Sequence, residues 1–152
     1  MEDVASKIEV YNQCLLIIEE RIASIHSMLK ELDSSSSAET KSSMGDKYET
    51  SREMIQLERN KLQIQLEEVA KQKKVFSQID PNKVHHTVQL GSFIRSSAKN
   101  FFISASLGAV TVKKEECICI SPVAPLAKQI MEKSAGDTFF FMGKNQEILA
   151  VS

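Results

Sequence analysis

The sequence predicts an α+β protein, with an N-terminal antiparallel helical coiled-coil hairpin over residues 1–80 and a small antiparallel sheet domain with one helix over 81–152. Three observations predict it. The composition changes at Pro81: before it lie one of the five glycines, none of the three prolines and one of the seven phenylalanines. Residues before that point carry long heptad stripes, and residues after it carry short, strand-like apolar segments broken by turn residues.

The first helix is the most regular element. Val4, Ile8, Tyr11, Leu15, Ile18, Ile22, Ile25, Leu29 and Leu32 alternate in steps of four and three, the spacing of a coiled-coil seam. A second helix is expected from about Tyr48 to Ile79, with a seam through Tyr48, Arg52, Ile55, Arg59, Leu62, Leu66, Val69, Lys73 and Phe76. Its three basic members can cover a seam with their aliphatic stems while their charges reach water. Between the helices, "DSSSSAETKSS" is poor in apolar residues, and serine favours caps and turns over helix interiors. One helix alone cannot bury its stripe, so the pair is expected to fold back on itself with its tip near residues 33–50. A parallel homodimer of the first helix is the rival arrangement. At ~1.5 Å per residue the hairpin extends roughly 45 Å.

The tip stretch "SSMGDKYETSREM" places two carboxylates, Asp46 and Glu49, at the start of the second helix. Two readings stand side by side. Asp followed three residues later by Glu makes a box-like helix start that suits the macrodipole. The same spacing also projects both carboxylates in similar directions, so that they can share one hard cation if a partner supplies the remaining ligands. Lys47 and Arg52 fit either reading as neutralising neighbours.

The second region reads as strands in "TVQLGSFIRSS", "NFFISAS", "AVTVKKEECICI", "DTFFFMG" and "QEILAVS", with one helix in "PLAKQIMEKSAG". Leu126, Ile130 and Met131 make that helix one-sided, and Gly136 fits its C-terminal stop. Strands, then a helix, then a hairpin give a small sheet with a helix across one face. "DPNK" (80–83) is the hinge between the two regions.

Charge and cysteine usage narrow the function classes. Residues 1–80 carry 11 Lys/Arg and 15 Asp/Glu, and residues 81–152 carry 8 and 5, so the chain has no basic excess for duplex binding through phosphates alone. The longest early apolar run is "CLLII" and the N-terminus is acidic, which speaks against a signal peptide or a spanning helix and for a soluble, cytoplasmic protein. Cys14, Cys117 and Cys119 make no disulfide framework. They read as small buried residues of a reducing compartment, with Cys117 and Cys119 on one face of a strand. His85 and His86, being adjacent, face opposite sides of an extended segment and cannot share a metal there; His26 reads as a surface residue. Lys71, Lys73 and Lys74 form a small basic cluster at the base of the hairpin.

In "ISPVAPLAKQIMEKSAGDTFFF", followed by a closing strand, the chain resembles the C-terminal domain of the bacterial GreA/GreB transcription elongation (transcript cleavage) factor family, which has an FKBP-like fold. "GDKYE" resembles the tip of those factors, where Gly-Asp is followed by Glu at the third place beyond Asp. The resemblance implies a protein that docks its sheet domain on RNA polymerase and passes the coiled coil through the secondary channel. It implies Asp46 and Glu49 as the catalytic carboxylates, holding a Mg²⁺ shared with the polymerase active centre and stimulating cleavage of backtracked transcripts. Tyr48 and Arg52 become tip contacts, and Ser121, Pro122, Val123, Ala124, Pro125 and Lys128 the polymerase docking surface. The chain itself is then an accessory factor and no enzyme. It binds no cofactor alone, touches nascent RNA and DNA only within the elongation complex, avoids membranes and acts as a monomer. The serine-rich approach to the tip and "TSREM" after it depart from the family pattern. A channel-binding regulator that inhibits or modulates transcription without cleavage therefore stands beside the first reading, as does a coiled-coil protein-binding adaptor. A prolyl isomerase is suggested by the fold resemblance of the rear domain alone.

Overall fold

A computed structural model describes the backbone of residues 2–39 and 45–152, and the side chains of 3–34 and 49–152. The elements are α1 (Glu2–Glu39), α2 (Gly45–Ser77), β1 (Phe93–Ser96), β2 (Asn100–Ile103), β3 (Gly108–Val112), β4 (Glu115–Ile120), α3 (Pro125–Ile130), β5 (Thr138–Phe141) and β6 (Lys144–Val151). The α+β class and the paired N-terminal helices are as the sequence predicts. The chain divides into two compact units, residues 1–16 with 72–152 and residues 17–71, so that each long helix contributes to both.

The helices are longer than their seams indicate. The serine stretch expected to connect them is largely helical, because α1 continues to Glu39 and α2 begins at Gly45, three residues before Tyr48. A helix already nucleated gains one hydrogen bond for each residue added, and serine costs only a fraction of a kcal/mol there, ~0.5 relative to alanine. Low apolar content did not mark the end of the helix.

In the unit formed by residues 17–71 the two helices pack along the expected seam. Ile18, Ile25, Leu62 and Val69 are buried, and Ile22, Leu29, Leu32, Ile55, Arg59 and Leu66 are half-buried beside them. Arg59 keeps its place on the α2 seam by turning its guanidinium to Asp33 of α1, at 2.5 Å. Arg52, by contrast, is exposed.

In the other unit the sheet has strand order β3-β4-β2-β1-β6-β5. All pairs are antiparallel except β2 with β4, which run parallel in the register Phe101↔Ile118 and Phe102↔Cys119. The single strand expected over 109–120 is a hairpin, turned at Lys113 and Lys114, both with positive φ (48° and 67°). The sheet is covered on both sides. Val88, Ile94, Phe101, Ile103, Phe139 and Ile148 pack with Ala127 and Ile130 of α3. On the opposite face Phe102 meets Phe76 of α2 edge-on, and Cys119 meets Cys14 of α1. Burial on both faces is why "NFFI" and "ECICI" read as apolar runs rather than as strict alternation.

The base of α1 therefore serves two neighbours. Tyr11 packs at a tilt against the Phe76 ring of α2 and donates its hydroxyl to the Phe76 carbonyl at 3.0 Å. Lys7, Val10 and Cys14, one residue off the expected stripe, are the residues this segment buries, while Val4, Ile8 and Leu15 are only half-buried. On α2 the half-buried residue at this level is Gln72, with Lys73 exposed.

α3 stops at Ile130, six residues short of Gly136. The backbone beyond it pairs elsewhere: Glu132 N–H donates to the Val88 carbonyl and Val88 N–H to the Lys133 carbonyl, each at 2.8 Å. The same pairing keeps "TVQL" out of β1, which begins only at Phe93.

Candidate functional site

The sequence points first to the start of α2. Gly45 is its first residue, so Asp46 and Glu49 both lie on helical backbone one turn apart. Asp46 is thus inside the helix and not the residue preceding it. The side chains of Asp46 and Tyr48 lie outside the described residues; those of Glu49 and Arg52 are exposed. Carboxylates in a helix's first turn complement its positive end, and carboxylate oxygens are the donor type that Mg²⁺ takes. Two of them leave most of an octahedron unfilled, so the donor set fits a shared ion and not a resident one. Among the described residues, no group of three or more His, Cys, Asp or Glu side chains is placed to hold a metal ion.

The second candidate is the turn between β4 and α3. Ser121 organises it: its carbonyl accepts from Ala124 N–H at 3.0 Å and its hydroxyl from Val123 N–H at 3.3 Å. Pro125 then opens α3, where its missing N–H costs nothing and its fixed φ suits the first turn. The turn presents Val123 at its crest, 72 % exposed, flanked by exposed Pro125 and Lys128, while Ser121, Pro122 and Ala124 are half-buried.

Sequence reasoning passed over a polar cluster under the hinge. Lys7, fully buried, donates from Nζ to the Lys83 carbonyl at 2.7 Å. Burial lowers its pKa to about 8, against the opposing pull of Asp80. His85 is buried nearby with Nδ1 at 2.7 Å from Ser92 Oγ, while His86 is exposed. Burial first, then the charges of Lys7 and Lys83, hold its imidazole below the usual range. Gly91 closes the cluster: its φ is +88°, and a Cβ there would come within 3.0 Å of Ile79. Lys7 sits one place off the heptad stripe and 76 residues from Lys83, so no local pattern signals the contact.

A pocket of about 230 Å³ opens where α1 lies along the sheet, lined by Glu9, Val10, Phe93, Arg95, Lys113 and Cys117 among others. Arg95 pairs with Asp3 and, at 3.5 Å, with Glu115, and its guanidinium lies over the Phe93 ring. The hydrogen bond Arg95 donates to the Asp3 carboxylate is the main cause that raises its pKa above the usual value. Lys113 pairs with Glu9 at 2.7 Å.

Comparison of the chain with protein-family models, curated proteins and solved structures found no match. The functional reading therefore rests on the residues and their placement. Among the described residues no helix is long and apolar enough to cross a membrane.

Proposed function

We propose that the chain is a Gre-type regulator of bacterial RNA polymerase. It would dock through its sheet domain and present the start of α2 to the polymerase active centre through the secondary channel. One observation carries the proposal: the two long helices pair antiparallel, and the residues immediately after their connection are Gly45, Asp46 and, one turn on, Glu49. A carboxylate pair at that place is at the end of the hairpin rather than along its side. The exposed Val123 turn on the sheet domain supports the docking half of the reading.

In this role Asp46 and Glu49 would hold a Mg²⁺ jointly with acidic residues of the polymerase. That ion, when bound, supplies an activated water for in-line attack on a backtracked transcript. The work of this chain is positional. Helical backbone fixes the spacing of the two residues at the start of α2. Tyr48, immediately before Glu49, and Arg52, three residues after it, would orient the tip against nucleic acid. The hydrolytic centre remains the polymerase's.

The test is cleavage of a stalled, backtracked elongation complex in Mg²⁺. Addition of the protein is expected to shorten the transcript. Asp46→Ala with Glu49→Ala should slow cleavage by about 100-fold while leaving polymerase binding intact. Full stimulation by the double variant would refute the carboxylate role. Binding that competes with a cleavage factor yet never shortens RNA would select the inhibitory relative. Met54, Leu57 and Ile64, exposed together on α2, favour the adaptor reading, which failure to bind polymerase at all would select.

A further inference from the structure

The sheet has two edges, and the chain treats them differently. At β5 the backbone groups that face away from β6 are taken by the side chains of Gln129 and Lys133. β3 is the other edge and pairs with β4 alone. Among the described residues, no side chain or neighbouring strand bonds its outer backbone. The turn at Lys113 and Lys114, both at positive φ, closes the hairpin on the Val112↔Glu115 pair. A two-residue hairpin turn makes that pair hydrogen-bonded, and bonding alternates along an antiparallel ladder, so Val112, Val110 and Gly108 direct their N–H and C=O groups at β4. Ala109 and Thr111 direct theirs outward. Both residues are exposed, and "GAVTV" holds none of the charges or prolines that ordinarily blunt an edge. Its register with β4 is also free of bulges.

We propose that β3 is the contact strand of a symmetric dimer, in which two copies of this chain join their sheets edge to edge about Val110. The edge is self-complementary. Turned about a two-fold axis at Val110, Ala109 of one copy lies opposite Thr111 of the second, and each of the two such pairs exchanges N–H···O=C bonds. Between them Val110 lies opposite Val110, where Cα atoms approach to about 4.5 Å and β-branched side chains pair well. A slip of one residue would face the second copy with groups already bonded to β4. A slip of two would leave a single bonded pair. The register is therefore fixed by the strand itself.

This symmetry, together with the side chains beside it, favours a second copy over a foreign strand. On the exposed face the residues brought together are Ala109 and Thr111, small enough to stand side by side. The cationic turns do not meet. Lys113 comes opposite Leu107 of the second copy, which sets the two Lys113 positions roughly 20 Å apart along the strands. The contact is short, and an edge of one brief strand buries less than the ~1,200 Å² at which stable complexes begin. The dimer is accordingly concentration-dependent, with a Kd on the order of 100 μM.

The experiment is sedimentation velocity of the full chain, kept reduced, from about 10 μM to about 1 mM, with amide exchange followed by NMR at both ends of that range. The wild type is expected to pass from monomer to dimer. The Ala109 and Thr111 amides, open in the monomer, should exchange about fivefold more slowly at the high end, while the Val110 amide, bonded to β4, stays unchanged. Thr111→Pro removes an outward donor that β4 does not use, and Thr111→Lys places a charge on the same edge. Each should raise Kd at least about tenfold, and the lysine variant decides the matter if proline alters the circular dichroism. A chain monomeric throughout, a dimer undisturbed by both variants, or Ala109 and Thr111 amides already protected in the monomer would overturn the pairing. Capture of an extended peptide at β3 by a chain that stays monomeric would overturn it too, in favour of a foreign strand.

Discussion

Lys7 is a buried cation that donates to a neutral carbonyl, and the fold carries a cost for it. Its pKa in the folded protein is about 8, below the ordinary 10.5, with burial the first cause. Between those values the unfolded chain holds more protons than the native one, so stability rises as pH climbs through the window and the full cost is present below it. His85 has the same sign at lower pH: its pKa is lowered from 6.5 by burial and by Lys7 and Lys83, so acidification through about pH 6.5 destabilises the fold. Lys7→Met preserves the stem and removes the charge. Urea titrations from pH 7 to 10.5 should show the wild type gaining stability while Lys7→Met stays nearly flat, and the His85 pKa should rise in the variant by NMR titration. A wild-type curve without alkaline gain would contradict the assignment. Neither residue was legible beforehand. Lys7 lies one place off the heptad stripe, and nothing local announces that a sheet will cover that flank of the helix.

At the scale of elements, β5 shows how this fold handles an exposed sheet edge. The strand pairs only with β6, leaving its outer N–H and C=O groups open to another chain. Gln129 of α3 closes them. Its side-chain amide donates to the Phe140 carbonyl at 2.9 Å and its carbonyl accepts from Phe140 N–H at 2.5 Å, the pattern a neighbouring strand would supply. Lys133 Nζ takes the Thr138 carbonyl in the same row, at 2.6 Å. Gln129→Ala should therefore cost about 1–2 kcal/mol in chemical unfolding and make the protein more prone to associate at high concentration. Gln129→Glu, which keeps the acceptor but loses the donor, should fall between. If Gln129→Ala matches wild type in both assays, the edge needs no such cover. The strands themselves were readable from apolar runs bounded by turns, as was the one-sided α3. The β3–β4 turn was hidden because Lys113 and Lys114 hold positive φ without the glycine or asparagine that marks such turns. The early stop of α3 was hidden because its cause is pairing with Val88, 44 residues upstream by number.

At the scale of the whole chain, apolar burial is divided unevenly. Among the described residues, only Ile18, Ile25, Leu62 and Val69 are fully buried apolar side chains within 17–71, and the remainder of the core belongs to the unit of residues 1–16 and 72–152. Each such side chain contributes roughly 1.5–3 kcal/mol, whereas ordering each residue's backbone costs about 1–2 kcal/mol. Two helices with a thin seam are consequently the first part to open, even though α1 crosses from one unit to the other without a cap or break. The sequence carries an early heptad stripe beside a later aromatic-rich region. The bases of both helices read as hairpin, and only the covering of Phe102 and Cys119 assigns them to the sheet. Native-state hydrogen exchange should therefore change along one continuous helix. Amides of α1 up to about Leu16 should exchange with the β1, β2 and β4 core, and those beyond it at least ~2 kcal/mol more readily. Arg59→Ala, which removes the partner of Asp33, should speed exchange in 17–71 and leave the core amides unchanged. Uniform protection from one end of α1 to the other would show instead that the chain unfolds as a single cooperative body.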